Sequence, residues 1–307
     1  MFNVPVVVVI FNRPELARRL VEALEVVKPE IIYLISDGPR VGVAREEEKV
    51  AASREIFETL PWGCKVVTSF ASKNMGCMER ITSGLDWVFG QVDRAVILED
   101  DCIASQSFFW FCEELLEKYE TDERVLSISG ARLAPVFNMS ADYCFSRYAF
   151  CWGWATWGRA WAKFDKDMAS YSEIRNTKFI RTLLGGRRQE LYWRWIFDSV
   201  IRGGINSWAY RWTFTHWVNG GLSAIPRVNL ISNRGAGLAA TNTKVKTEWL
   251  ESHAASLCFP LRASNDVSRD ATFDTWIEDN VFSKSPLVRL KWCIAWVKRR
   301  IRIPVKN

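Results

Sequence analysis

Along the first 130 residues, short apolar runs alternate with stretches in which apolar positions recur every three or four residues. Residues 5–11, Pro-Val-Val-Val-Val-Ile-Phe, form a β-branched run that predicts a first, central strand. Pro14 opens a segment to residue 26 in which Leu16, Leu20, Val21 and Leu24 share one helical face, and proline suits the first helical turn. The alternation then repeats, with strands expected over 31–35, 64–69, 95–98 and 125–129 and helices over 46–60, 77–89 and 106–119. This spacing predicts right-handed βαβ units and an α/β sheet with helices on both faces.

After residue 130 the pattern changes. A strand is expected over 143–150, and residues 151–161 are a tryptophan- and glycine-rich segment leading into a helix. Helices are expected over 188–202 and up to 218, with short strands at 222–225 and 228–231 around Pro226. Residues 233–237 read as a flexible loop. No linker and no repeat interrupts the chain, so residues 1–283 are expected to be one domain with halves 1–130 and 131–283. Residues 284–307 form a basic tail.

Composition adds limits. The chain has 307 residues, 49% hydrophobic and 25% charged, which is ordinary for a globular protein. No apolar stretch approaches the ~20 residues of a membrane span. No secretory leader is visible, so a cytoplasmic location with reduced cysteines is expected. The eight cysteines form no CxxC pair and the chain has only two histidines, which argues against a structural zinc site. Residues 284–307 carry eight Lys/Arg and no acid, whereas residues 1–283 carry 33 Lys/Arg against 35 Asp/Glu. A near-neutral body argues against a nucleic-acid-binding fold, which would show a basic face. The tail mixes its basic residues with Trp292, Trp296, Leu287, Leu290 and Ile301. That mixture suits a helix lying on the inner face of an anionic membrane, or equally an ordinary amphipathic C-terminal helix.

Candidate chemistry centres on residues 95–101, where Ala-Val-Ile-Leu runs straight into Glu99-Asp100-Asp101. Ligands of open α/β sheets bind beyond the carboxyl ends of the strands. Three adjacent carboxylates repel one another unless a cation joins them, and divalent metals take carboxylate oxygens. The alternative is a solvated acidic turn before a helix. Asp37 ends another strand, and Asp198 sits in the later helical half. Nine of the sixteen tryptophans lie between Trp152 and Trp217, as core or as a sugar-stacking wall. His216 reads as a buried packing residue.

These pieces resemble a GT-A glycosyltransferase (nucleotide-diphospho-sugar transferase), bacterial family 2-like. The layout is similar to that of the N-acetylglucosaminyltransferase I family. The resemblance rests on residues 7–14 (Val-Val-Val-Ile-Phe-Asn-Arg-Pro), Ser36-Asp37-Gly38, Asn74-Met75-Gly76 and Leu98-Glu99-Asp100-Asp101. It continues through Gly153-Trp154-Ala155-Thr156-Trp157 and Asn229-Leu230-Ile231-Ser232-Asn233, covering residues 4–243. It implies a Rossmann-like mixed sheet, with 1–130 as the nucleotide-sugar-binding half and 131–283 as the acceptor side. It implies that Asp37 contacts the nucleobase near Phe11, Asn12 and Arg13, that Glu99 and Asp100 contact the donor's sugar and ribose, and that Asp101 binds Mn2+ or Mg2+. Asp198 falls where that family has a catalytic base in a Trp-Asp-Asp-Trp motif, although Ile196 and Phe197 replace its polar residues. A helix-surface acid is the other reading of Asp198.

Asn242 stands where relatives are expected to carry histidine, a stronger ligand for a transition metal. Arg234 is placed to hold the diphosphate or to make a loop salt bridge. The function so implied is metal-assisted, inverting sugar transfer from a nucleotide-diphosphate donor to a glycan acceptor of a bacterial surface polysaccharide or lipid-linked oligosaccharide. Two competitors remain: a non-catalytic nucleotide-sugar or glycan-binding protein on the same fold, and a sugar-1-phosphate nucleotidylyltransferase. The latter expects a Gly-rich, basic signature where this chain has Phe11-Asn12-Arg13-Pro14.

Overall fold

The computed structural model describes residues 1–137, 139–235, 254–263 and 266–283. The first half follows the hydrophobic pattern closely: β1 (Val6–Ile10), α1 (Pro14–Glu25), β2 (Ile31–Ser36), α2 (Glu46–Glu55), β3 (Lys65–Phe70), α3 (Cys77–Phe89) and β4 (Arg94–Glu99). Then come β5 (Cys102–Ala104), α4 (Gln106–Lys118) and β6 (Val125–Ser129). The helix expected over 46–60 stops at Glu55. In the second half are β7 (Tyr143–Ser146), β8 (Trp154–Trp157), α5 (Gly158–Trp161), α6 (Tyr171–Ile174), α7 (Phe179–Leu184) and α8 (Arg187–Ile201). They are followed by α9 (Trp208–Val218), β9 (Leu222–Pro226), β10 (Ile231–Asn233) and α10 (Ala271–Ile277).

Among the described residues, eight strands form one mixed sheet in the order β3-β2-β1-β4-β8-β6-β9-β7. β1 lies parallel between β2 and β4, with Val8 opposite Leu34 on one side and Leu98 on the other. Burial on both faces explains why these strands are continuous apolar runs rather than alternating ones. The chain leaves β1 toward β2 and β3 on one side and reaches β4 on the other. The order therefore reverses beside β1, and the crevice beyond the carboxyl ends of β1 and β4 is where such a sheet holds a ligand.

The sheet becomes mixed at β8, which runs antiparallel between β4 and β6. The sequence pattern assigned this segment no strand. Four residues flanked by Gly153 and Gly158 are too few for a period to show. β7 is likewise shorter than the expected 143–150. The strand expected at 228–231 lies later, as β10, and pairs antiparallel with β5. That ribbon follows directly on the acidic triplet and ties residues 231–235 to it.

Two buried clusters fill the molecule. One packs the sheet against α1, α3 and α4, with Val6, Leu34, Leu98, Phe108 and Phe111 among its members. The other joins α6, α8, α9 and α10 through Tyr148, Trp193, Phe197, Phe214 and Phe273. Half-buried Trp152 touches both. Most of the tryptophan-rich segment is core: Trp154 packs on Trp208 with ring centroids 5.4 Å apart, and Trp193 meets Trp217 at 4.6 Å. Such pairs contribute ~1 kcal/mol each beyond area burial. His216 is fully buried, bonded to the Ser127 hydroxyl and the Trp212 carbonyl at 2.9 Å each. Among the described residues no helix is long and apolar enough to cross a membrane.

Candidate active site

Because β1, β2 and β4 are parallel, their carboxyl ends share one edge of the sheet. Phe11–Arg13, Asp37 and Glu99–Asp101 converge there. The Asp100 amide donates to the Val9 carbonyl at 3.0 Å, which locks the start of the triplet to β1. Arg13, the residue before α1, reaches across. Its guanidinium donates to both carboxylate oxygens of Asp100 and, through Nη1, to Asp101 Oδ2 at 3.1 Å. Burial alone would lower the Arg13 pKa; Asp100 and Asp101 outweigh it and hold the group above its ordinary value. One resident cation thus offsets the repulsion between Asp100 and Asp101.

The three acids differ. Asp100 is buried under Arg13, with 2% of its side chain exposed. Asp101 is more open, and its Oδ1 accepts from the Cys102 thiol at 3.4 Å. Glu99 is half-buried and, among the described residues, has no hydrogen-bond partner. Burial, then the charges of Asp101 and Asp100, push it up to about 8. Around it lie Cys77 and Cys151, whose thiols burial and the Glu99 charge push up, Cys77 to about 12. They line the edge as neutral, unreactive groups.

The β10 ribbon closes one side. The Arg234 amide donates to the Asp101 carbonyl at 2.8 Å, and Gly235 donates to Asn233 Oδ1 at 2.9 Å. A β-carbon on Gly235 would meet the Asp101 carboxylate, so a larger residue there would have to displace that side chain. The Arg234 side chain is exposed beside it. Asn242 lies outside the described residues.

Asp37 is positioned at this edge but turned into the chain. Its Oδ1 accepts from the amides of Gly38 (2.8 Å) and Met75 (2.9 Å), and its Oδ2 from Gly76 N and Asn74 Nδ2 (3.0 Å each). These four bonds use the capacity of a carboxylate. Asp37 therefore builds the 74–76 turn that launches α3. Asn12 is also engaged: it donates to Glu46 Oε1 at 2.8 Å. Glu46 in turn holds Arg40, chiefly through hydrogen bonds that bring its own pKa down to about 2, and Arg40 sits 5.6 Å from the Phe11 ring centroid. Arg40 and Glu46 had no sequence signal, since nothing in a lone arginine or a Glu-rich first turn announces that Glu46 bonds Arg40 six residues back and Asn12 34 residues back.

Asp198 is not among these groups. It lies on α8, receives Arg175 Nε at 2.7 Å, Nη2 at 2.6 Å and the Tyr171 hydroxyl at 2.9 Å. Burial would raise its pKa; the Arg175 and Tyr171 bonds outweigh it and hold the carboxyl below its ordinary value. It lines a separate cavity of about 350 Å3 with Asp167, Tyr171, Arg175 and Arg202, and no residue of the acidic edge lines that cavity. A carboxylate so committed is a weak proton acceptor.

Among the described residues no group of three or more His, Cys, Asp or Glu is placed to hold a metal. The donors present are carboxylate oxygens, which suit a hard divalent cation whose other ligands come from a bound phosphate and water. Asp101 and Glu99 fit that incomplete set.

No protein-family model matches the chain, and no curated protein sequence matches it. Several solved structures overlap it in part. The mannosyltransferase of Pyrobaculum calidifontis, in complex with GDP-Man and Mn2+, is 13% identical with a TM-score of 0.34 over 50% of this chain and 44% of that one. The match thus spans less than half of the mannosyltransferase. The 4-diphosphocytidyl-2C-methyl-D-erythritol synthase of Anaerococcus prevotii is 11% identical with a TM-score of 0.34, over 61% and 86% of the two chains. A UDP-glucose pyrophosphorylase complexed with UDP-glucose is 13% identical with a TM-score of 0.27, over 47% and 63%. The overlaps are partial, and the α/β fold is read from the strand order itself.

Proposed function

We propose that the chain is a metal-assisted glycosyltransferase that takes a sugar from a nucleoside-diphosphate donor to a glycan acceptor, in bacterial surface polysaccharide or lipid-linked oligosaccharide biosynthesis. The observation that carries this is the meeting of Arg13 with Asp100 and Asp101, next to Glu99, at the reversal point between β1 and β4. It pairs a guanidinium suited to phosphate oxygens with carboxylates suited to a hydrated divalent cation, in the crevice where such sheets bind nucleotides. Asp101, with Glu99 beside it, would hold Mn2+ or Mg2+, which as a Lewis acid would neutralise charge on the departing diphosphate. Arg13 and Arg234 add positive charge to the same diphosphate. Asp100 keeps Arg13 in position.

Four roles differ from those the resemblance implies: Glu99 joins the metal and Asp100 positions Arg13 instead of contacting the donor's sugar and ribose, and Asp37 and Asp198 change as well. Asp37 acts on the nucleobase through the 74–76 turn that it builds, because its own oxygens are taken. We read Asp198, whose charge Arg175 holds, as a structural acid rather than the catalytic base. Donor hydrolysis with Mn2+, abolished in Asp101→Ala, tests the proposal. Absence of hydrolysis and of transfer to any acceptor in a panel, with tight donor binding, would favour the non-catalytic binder. The closure of Arg13 over both Asp100 and Asp101 is the observation on that side.

A further inference from the structure

We propose that the outer face of α8 is a docking surface for an anionic lipid bilayer. α8 is a fifteen-residue helix, about 22 Å long. Its inner face is buried through Glu190, Trp193, Ile196, Phe197 and Val200. Positions 187, 191, 194, 198, 201 and 202 fall on the opposite side at helical spacing. There Leu191 and Ile201 are 54% and 49% exposed, one near each end of the helix. Two large aliphatic side chains facing water on an otherwise well-packed helix are what an interfacial surface inserts.

The charge around them is net positive, although Asp167 and Asp198 line the same cavity as Ile201. Residues 171–211 contain eight Lys/Arg and three Asp/Glu, whereas residues 1–170 and 212–283 contain 25 Lys/Arg and 32 Asp/Glu. Two of the three acids within the basic stretch are paired, Glu190 with Arg181 and Arg194 at 2.6 and 3.0 Å and Asp198 with Arg175 at 2.6 Å, and the third, Glu173, is exposed. Arg188 pairs with Asp279. Among the described residues, Lys178, Arg187 and Arg202 are exposed and have no salt-bridge partner, Arg187 lying one helical turn before Leu191 and Arg202 next to Ile201. A body that is negative elsewhere and positive here turns this face toward a negative surface. Basic residues interspersed with exposed aliphatic ones fit phospholipid, whose phosphates meet the guanidinium groups while the acyl boundary takes the side chains of Leu191 and Ile201. This inference does not depend on sugar transfer, and it is independent of the basic tail.

The test is sedimentation of the full chain with phosphatidylcholine vesicles, with and without phosphatidylglycerol. The wild type is expected to bind only the anionic vesicles and to be released by salt. Arg187→Glu with Arg202→Glu is expected to weaken binding about thirtyfold or more, at ~1 kcal/mol for each basic residue at the surface. Leu191→Ser with Ile201→Ser is expected to weaken it about tenfold or more while leaving heparin binding unchanged. Hydrogen exchange of the wild type on vesicles reads the site without a variant, and slower exchange across 187–202 is expected. Binding that ignores both double variants, or exchange in α8 unaltered by vesicles, overturns the proposal. So does loss of heparin and vesicle binding together on removing only the charges, with Leu191 and Ile201 immaterial.

Discussion

Arg13 and Asp101 share a 3.1 Å hydrogen bond across the crevice between β1 and β4, and the same guanidinium clasps buried Asp100. One side chain thus joins two of the three acids. Arg13→Gln is expected to cost about 2–3 kcal/mol in urea unfolding, because it leaves Asp100 buried and unpaired; the partial exposure of Arg13 keeps this below the cost of breaking a fully buried pair. Adding Asp100→Asn is expected to return part of that loss, and a strictly additive double mutant would contradict the coupling. Mn2+ affinity read by electron paramagnetic resonance is expected to rise in Arg13→Gln, since a competing cation leaves Asp101.

Asp37 offers a second check. Asparagine at this position keeps one acceptor oxygen and turns an amide group toward backbone N–H donors. Asp37→Asn is expected to destabilise the protein by about 3 kcal/mol and to disorder the 74–76 turn, seen as faster hydrogen exchange at the start of α3. Unchanged stability with lost nucleotide affinity would instead put the carboxylate in direct contact with the base.

For Asp198 the expectation runs the other way. Its pair with Arg175 is partly exposed and contributes ~1 kcal/mol at most. Asp198→Asn is expected to lower the melting temperature slightly and to leave transfer or donor hydrolysis within about threefold of the wild type. A loss of about a hundredfold or more would return it to the base role.

The buried His216 contributes one part of the pH dependence. Burial lowers its pKa from 6.5 to about 4, so it is neutral in the folded protein. Between those values the unfolded chain binds the extra proton. Stability from this group is complete above pH 6.5 and is lost as pH falls toward 4, by up to about 3 kcal/mol. Urea unfolding across that window is expected to show a flatter slope in His216→Gln. An equal slope would mean that other groups set the acid limit.

What the chain spelled out locally and what it did not divide along physical lines. β1, β2, β4 and the helices between them were legible because strands buried on both faces are apolar throughout, and helices packed on them keep a 3.6 period. The triplet stood out for the same reason, as charge placed where an apolar run ends. β8 was not legible: its strand character comes from lying between β4 and β6, a tertiary fact. Arg13 was marked by its place after β1, but its bond to residues 87 and 88 positions away has no local trace. Asp37 and Asp198 were found as acids at suggestive positions, yet residue type cannot say whether a carboxylate is free or already saturated by Met75, Gly76 or Arg175.

The central claim is that the edge formed by Arg13, Glu99, Asp100 and Asp101 binds a nucleoside diphosphate together with a divalent cation. Thermal unfolding with nucleoside diphosphates, with and without Mn2+, tests it most directly, because a ligand of the folded state raises the apparent melting temperature. The wild type is expected to be stabilised by at least one nucleoside diphosphate in an Mn2+-dependent manner, and Asp101→Ala to lose that dependence. No stabilisation by any nucleotide, or stabilisation identical with and without Mn2+ in both proteins, would contradict the account.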